Sequence, residues 1–344
     1  MKTTLLFLSV FLSVSLFGQN VYIPDANFKE VLINDNEINT NNDSEIQIIE
    51  AESFNGTIEC DYSSIQDLTG IEAFSSITGL WCSNNELTSI NLASNTSLET
   101  LVLNTNQITN LDLSNNSELR ILRFAHNLIS NIDIGQNTAL TEINCNTNQL
   151  NIIDVSQNLN LIRLNCSHNQ ITNLDLSNNL MLEALQCGTN NLTSLDLNQN
   201  IELQVLHCSV NNLESLDLSQ NVNLSFLYCN NNLLNCLNIR NGNNMNISNN
   251  PTHIILTNNP NLTCIEVDDV LYSTQNWYIE SQMFFSEDCN NECSNTSGLN
   301  ELTSSNNLIQ ILDVMGRETS FKPNTPLIYV YDDGSIEKVF SVEY

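Results

Sequence analysis

Leucine recurs along this chain at a fixed interval, which is the distance from Leu98 to Leu119. This repeat limits what the chain can fold into more than any other feature. The leading leucines of the units are Leu98, Leu119, Leu140, Leu161, Leu182, Leu203 and Leu224. An apolar residue follows three positions later in each unit, as Leu101 follows Leu98, and an asparagine eight positions later, as Asn106 does. A unit this short cannot bury a core alone, so consecutive units must stack and share one continuous apolar interior.

The unit reads L-x-x-L-x-[LC]-x-x-N-x-L-x-x-L-D-L-S-x-N-x-x, and it resembles the leucine-rich repeat family. The resemblance implies an α/β solenoid of 21-residue coils, mostly β and loop, over residues 58–244. Its first unit, from Ile58, is slightly longer and resembles the internalin-like variant of the family, with a helical or 3₁₀ segment. The asparagines are expected to stack and to bond backbone groups that the strand leaves unpaired at each bend.

Two further columns follow from the register. The third core position holds cysteine in five consecutive units, namely Cys145, Cys166, Cys187, Cys208 and Cys229. We expect these side chains to pack inside the solenoid and not to take part in metal or redox chemistry, because a straight column offers no converging ligands. An aspartate column is expected to accept hydrogen bonds within turns, with calcium sites as the alternative; it comprises Asp112, Asp133, Asp154, Asp175, Asp196 and Asp217.

Residues 19–57 are predicted to form a helical N-terminal cap that contains an EF-hand-like loop from Asn39 to Glu50. The oxygen ligands of calcium would be supplied by Asn39, Asn41, Asp43, the Glu45 carbonyl and Glu50. Two departures weaken this match, since Asn39 replaces an aspartate and Ser44 replaces the glycine of the sharp turn. The alternative is a solvated polar loop between two cap helices. Calcium is the one cofactor that the sequence brings into question.

Residues 245–293 are predicted to be degenerate repeats that lead into a helix-containing C-terminal cap, with Trp277 filling its core. Because exported proteins commonly staple small terminal elements, a disulfide between Cys264 and Cys289 is the candidate pairing, and Cys236 and Cys293 are alternative partners.

The two ends of the chain indicate export. Residues 1–18 have the Lys2, apolar run and small-residue order of a secretory signal peptide, and no later segment is long and apolar enough to span a bilayer. Residues 294–307 form a polar linker. Residues 308–344 predict a small β module. Through LDVMGRET, LIYVYDDGS and EKVFSVEY this module resembles the type A sorting domain that directs Bacteroidetes proteins through the type IX secretion system. That resemblance implies a partner in the secretion machinery and a secreted or surface-attached protein.

Charge and motifs narrow the function. With 39 acidic and 9 basic residues the formal charge is −30, which repels nucleic acid and anionic membranes. The sequence contains no nucleophile elbow, no phosphate-binding loop and no spacing of histidines and carboxylates typical of a metal enzyme, so catalysis is not expected.

Binding is therefore predicted on the solvent side of the concave sheet, where alternate strand residues are exposed. Arginines there form a positive centre, with aromatic residues at both ends, and both types are enriched in interface hot spots. The alternative is that the arginines are solvated and pair with Glu142 and Glu183. The predicted contact residues are Trp81, Arg120, Arg123, Glu142, Arg163, His207, Phe226 and Tyr228. The hypothesis is a protein that binds an extracellular protein or glycan in adhesion or recognition. The alternative is a structural surface component that assembles through its acidic, calcium-bridged coils.

Overall fold

The computed structural model describes residues 19–247, 253–290 and 293, together with 308–313, 317, 319, 326–331 and 336–340 of the C-terminal part. The predicted signal peptide and the linker 294–307 lie outside the described residues. The chain divides into one unit up to Asn295 and a second from Thr296 to Tyr344.

The first unit begins with two short helices. Helix α1 spans Ala26–Asn34, and the Asp25 carboxylate starts it by accepting the N–H groups of the next turn, while Phe28 and Leu32 place its apolar side in the core. Helix α2 spans Ile48–Ser53 and starts with a capping box in which Glu50 accepts the Gln47 N–H.

Each repeat then contributes a strand of three residues whose middle side chain is buried. A 3₁₀ turn at Ile71–Ala73 lies in the first coil, where the longer unit predicted a helical or 3₁₀ segment. The strands of the repeat region are β1 Thr57–Glu59, β2 Gly79–Trp81, β3 Thr100–Val102, β4 Ile121–Arg123, β5 Glu142–Asn144, β6 Arg163–Asn165, β7 Ala184–Gln186, β8 Val205–His207, β9 Ser215–Asp217, β10 Phe226–Tyr228, β11 Cys236–Asn238 and β12 Ile254–Ile255.

Ten of these strands pair in parallel into one sheet, in the order β1 to β8, then β10 and β12. The register advances by one repeat at each step, so that Leu101 lies opposite Leu122 and Ile143 opposite Leu164. The chain is therefore an α/β solenoid of leucine-rich repeat type, mostly strand and loop, as the sequence predicts.

Two asparagine ladders close the bends of the coils. In the first, Asn190 donates from Nδ2 to the carbonyl oxygens of Cys166 and Cys187 at 3.0 and 3.1 Å, and its Oδ1 accepts the Ile171 N–H at 3.0 Å. The second ladder lies at the opposite bend, where Asn179 donates to Val155 and Asn158. Its members are Asn95, Asn116, Asn137, Asn158, Asn179, Asn200 and Asn221.

The interior is a continuous apolar core in which the five-cysteine ladder is fully buried. Burial raises the pKa of Cys166 and Cys208 to about 12 and raises the pKa of Cys145, Cys187 and Cys229 well above the usual thiol value. Thiols that stay protonated neither bind metals nor attack disulfides readily, which agrees with a packing role.

A second, four-stranded sheet joins the last repeats to the C-terminal cap, which also contains a short helix. It contains β9 and β11 together with β13 Cys264–Glu266 and β14 Phe284–Ser286, and helix α3 spans Val270–Asn276. Trp277 follows α3 and is buried against Phe285, as predicted for a core residue of the cap. Disulfides join Cys264 to Cys289 and Cys236 to Cys293, so the two cysteines considered as alternative partners are bonded to each other.

The second unit contains three antiparallel strands, β15 Leu308–Asp313, β16 Pro326–Tyr331 and β17 Ile336–Phe340, with β16 in the middle. They fall in the segment for which alternation of apolar and polar residues predicts a β module.

Candidate functional site

The exposed face of the ten-stranded sheet presents two columns of side chains, one on either side of the buried middle residue of each strand. One column includes Glu142 and Arg163, and the other includes Arg123, His207 and Tyr228. We call this surface the sheet face. All the predicted contact residues lie on it except Arg120, which immediately precedes β4.

Ion pairs neutralise most of the predicted positive centre. Arg123 Nε lies 2.6 Å from Glu142 Oε1 on the neighbouring strand, and Arg120 Nε lies 3.5 Å from Glu99. Within the described residues no carboxylate lies within 4.0 Å of the Arg163 side chain, which is exposed. The arrangement is closer to the alternative, in which the arginines pair with carboxylates of neighbouring coils, than to three arginines acting as one cationic patch. The carboxylates of the adjacent coils compensate two of them, and Arg163 carries the local positive charge.

An aromatic cluster forms at the C-terminal end of the sheet face. The His207 and Tyr228 rings meet edge to face with centroids 5.4 Å apart, and the Phe226 and His253 rings lie 4.0 Å apart. Burial, and secondly the charge of nearby His168, lower the pKa of His207, so this ring is neutral at physiological pH. The cluster therefore offers an apolar surface with polar edges, a combination typical of protein contact sites.

Glycine makes room for this cluster. A Cβ atom on Gly188 would lie 3.1 Å from His207 Nε2 and 3.1 Å from the Ser209 carbonyl oxygen. Because Gly188 has no side chain, the His207 ring can settle over the preceding coil. The sequence analysis missed His253, which joins the cluster from a degenerate repeat. The contact of the His253 ring with Phe226 could not be predicted from the repeat register.

Trp81 lies far from the aromatic cluster. It is 40% exposed at the end of β2, whereas Tyr228 ends β10. Seven strand-to-strand steps separate the two, which is about 34 Å at the usual strand spacing. The predicted contact residues thus extend along the whole sheet and do not converge on a small-molecule pocket, so the face suits an extended macromolecular partner.

The EF-hand-like loop is held together by its own hydrogen bonds. Glu50 Oε1 accepts the backbone N–H groups of Thr40 and Asn41 at 2.9 and 3.2 Å, and Oε2 accepts the Gln47 N–H at 3.0 Å. Asp43 Oδ1 accepts the Glu45 N–H, and the Glu45 carboxylate pairs with Lys29 at 2.7 Å. The Oδ1 atom of Asn39 is buried and accepts no hydrogen bond from the described residues.

These contacts do not fit a bound calcium ion as they stand, because N–H donors surround the carboxylate that would have to be the bidentate ligand. Calcium binding by the loop stays a prediction, and it would require Glu50 to leave the hydrogen bonds that start α2.

The aspartate column forms turns. In each coil Oδ1 accepts the backbone N–H two residues ahead, as Asp154 does from Ser156 and Asp175 from Ser177. This hydrogen bond lowers the pKa of Asp112, Asp154 and Asp175, so these carboxylates are ionised at neutral pH. Asparagine fills the same place at both ends, in Asn91 and Asn238.

Across the described ranges no group of three or more histidine, cysteine, aspartate or glutamate side chains is arranged to hold a metal ion. In the same part of the chain, none of the helices has the length and apolar character that a bilayer crossing requires.

The repeat register, the stacked asparagines and the open sheet face define a solenoid fold of the leucine-rich repeat class. Among solved structures, the chain is similar to the functional domain of InlJ from Listeria monocytogenes, which includes a cysteine ladder. The two are 29% identical with a TM-score of 0.55, over 72% of this chain and 66% of that one. The chain thus spans slightly less than two thirds of the InlJ structure.

It is also similar in fold to internalin C2 of Listeria monocytogenes, with 18% identity and a TM-score of 0.54 over 58% of this chain and 91% of the other. No family model and no curated protein sequence matches the chain.

Proposed function

We propose that this protein is exported and binds another protein through the sheet face, in adhesion or recognition at the cell surface. The observation that carries the proposal is the aromatic cluster of His207, Phe226, Tyr228 and His253 on an open sheet that also presents Arg163. Aromatic and arginine side chains contribute most of the binding energy at protein interfaces. An open face of about 34 Å also gives a partner room for a standard-sized contact.

Three observations support export. The N-terminal apolar run has the order of a signal peptide, two disulfides close the C-terminal cap, and the final residues resemble a type IX sorting domain. The similarity to InlJ supports recognition as the general role. Catalysis is not part of this proposal.

The test is a screen of the purified protein against arrays of surface proteins and glycans, repeated with an Arg163→Ala and Tyr228→Ala double variant. We expect a protein ligand whose binding falls at least tenfold in the double variant. The matched control is Arg240→Ala with Tyr278→Ala, which makes the same changes away from the sheet face. If glycans bind instead, and their binding is lost in the double variant, the partner is a glycan and not a protein. Calcium-dependent self-association without any ligand would overturn the proposal in favour of structural assembly through the acidic coils.

A further inference from the structure

The turns that lead into β3 to β8 and into β10 each carry an exposed residue directly after the buried asparagine of the second ladder. In the N-terminal coils this residue is polar, namely Thr96, Ser117 and Thr138. In the next four coils it is aliphatic, namely Leu159, Leu180, Ile201 and Val222, with exposed fractions of 56%, 53%, 50% and 44%. We call these four residues the aliphatic stripe.

The fold does not require apolar residues at this position. In the polar half, Asn137 donates to the Asn116 carbonyl oxygen at 2.8 Å, and in the aliphatic half Asn179 donates to the Asn158 carbonyl oxygen at 3.0 Å. The turn is therefore built in the same way whether threonine or leucine follows it. The fold tolerates either a polar or an aliphatic residue at this position. The change from polar to aliphatic therefore indicates a role other than folding.

The stripe is contiguous. Adjacent coils are about 4.8 Å apart, so the four side chains cover about 15 Å along the solenoid without a polar interruption. Met181, which is 50% exposed, widens the stripe beside Leu180. Single exposed leucines are ordinary on protein surfaces, whereas contiguous apolar patches are often functional.

The charges around the stripe indicate what it binds. Each stripe residue follows an aspartate of its own coil by five positions, as Leu180 follows Asp175 and Ile201 follows Asp196. Between them lie small and amide side chains such as Ser177 and Asn178. A second copy of this chain would bring two aspartate columns together, and an anionic membrane would be repelled in the same way. A basic partner would be attracted.

We propose that the aliphatic stripe docks the apolar face of a basic amphipathic helix from a partner protein. A helix rises about 5.4 Å per turn, close to the spacing of the coils, so residues three and four apart on the helix can contact successive stripe residues. A helix is about 10–12 Å wide with its side chains, so lysines and arginines on its flank reach toward Asp154, Asp175 and Asp196. This site lies apart from the sheet face and adds a second interaction surface to the proposed function.

The probe for the test is a fluorescein-labelled model peptide of leucine and lysine, with leucine at helix positions i, i+3, i+4 and i+7, titrated with the full-length protein and followed by anisotropy. The test variant combines Leu180→Thr with Ile201→Thr, because threonine occupies the same turn position in other coils, at Thr96 and Thr138. We expect this variant to bind at least tenfold more weakly. Ser117→Leu with Thr138→Leu extends the stripe and should strengthen binding.

The charge contribution has its own matched pair. Asp175→Asn with Asp196→Asn keeps the turns, since Asn91 and Asn238 accept the same hydrogen bond, and should weaken binding severalfold and reduce its salt dependence. Equal affinity of the wild-type protein and the threonine variant would overturn the proposal. A second outcome would also overturn it: the wild-type protein does not bind the peptide and sediments as a dimer, whereas the threonine variant sediments as a monomer. The Arg163→Ala and Tyr228→Ala variant should bind the peptide normally, which separates this site from the sheet face.

Discussion

The two coils from Leu98 to Ala139 and the three from Leu140 to Glu202 have the same backbone and the same asparagine ladders, yet they differ at one interior and one exposed position. The third core position is Leu103 and Phe124 in the first group and cysteine in the second. The turn residue is Ser117 and Thr138 in the first group and Leu159, Leu180 and Ile201 in the second. The solenoid thus accepts different side chains at fixed sites, and the exchange of leucine for cysteine gives the second group a pH dependence that the first lacks.

The largest expected effect is a loss of stability above pH 9. The ordinary thiol pKa is 9.0, and burial raises it to about 12 for Cys166 and Cys208. A thiol whose pKa is raised on folding contributes stability that is fully present below the unfolded pKa and is lost as pH rises toward the folded value. At pH 10 each buried thiol has lost about 1 kcal/mol, so the five-cysteine ladder loses on the order of 5 kcal/mol.

Urea unfolding at pH 8 and pH 10 measures this loss. The Cys166→Ala and Cys208→Ala double variant is the control. Together with Cys60, whose pKa is also raised, six buried thiols lose stability at alkaline pH, and two of them are removed, so the fall in unfolding free energy between the two pH values should shrink by about a third. Only the difference between pH values is compared, since the substitutions also remove packing. An equally steep fall in the variant would show that groups outside the ladder control the alkaline transition.

An intermediate effect is expected from the ladder that both groups of coils share. Asn190→Ala leaves the buried Ile171 N–H without its acceptor. It also removes one of the two asparagine donors to each of the Cys166 and Cys187 carbonyl oxygens, which keep Asn169 and Asn211, and we expect the unfolding free energy to fall by about 2 kcal/mol. The adjacent Asn191 is exposed, so Asn191→Ala should change it by less than about 0.5 kcal/mol. Similar effects in urea unfolding for both variants would mean that the ladder's bonds contribute no more than surface amides.

The interior was predictable because stacking forces every coil to repeat it. One strict interval, the length of the repeat unit, locates the core leucines, the first asparagine ladder and the cysteine ladder. Where coils are irregular the interval fails: Leu227 pairs with Ile254, which lies more than one repeat unit further along the chain, so the place of His253 beside Phe226 could not be foreseen.

Surface contacts were predictable only as alternatives. The sequence allowed Arg123 to face solvent or to pair with Glu142, and the choice depends on side-chain geometry across two strands that no periodicity encodes. The meaning of the aliphatic stripe was equally hidden, because a leucine in a leucine-rich sequence is first interpreted as core. The register sets Leu180 outside the column of leading leucines that includes Leu182, but only its exposed fraction of 53% shows that it faces solvent.

The smallest expected effect concerns the N-terminal cap, where an irregular loop contrasts with the regular coils. We expect millimolar calcium to leave the melting temperature unchanged, because the Glu50 carboxylate already accepts the N–H groups of Thr40, Asn41 and Gln47. Glu50→Gln should instead destabilise the protein by about 1 to 2 kcal/mol with or without calcium, since hydrogen bonds to a charged acceptor are lost or weakened.

Differential scanning calorimetry of the wild-type, Glu50→Gln and Asp43→Asn proteins, each with calcium and with chelator, distinguishes the two uses of the loop. A ligand that binds the folded state alone must raise the melting temperature in proportion to the logarithm of its concentration. A calcium-dependent rise in the wild-type protein that disappears in Asp43→Asn would establish the EF-hand-like site and require Glu50 to exchange its N–H donors for the ion. If the melting curves with calcium and with chelator are the same, the role of Glu50 is structural: it starts α2 and connects this helix to the loop through its hydrogen bonds.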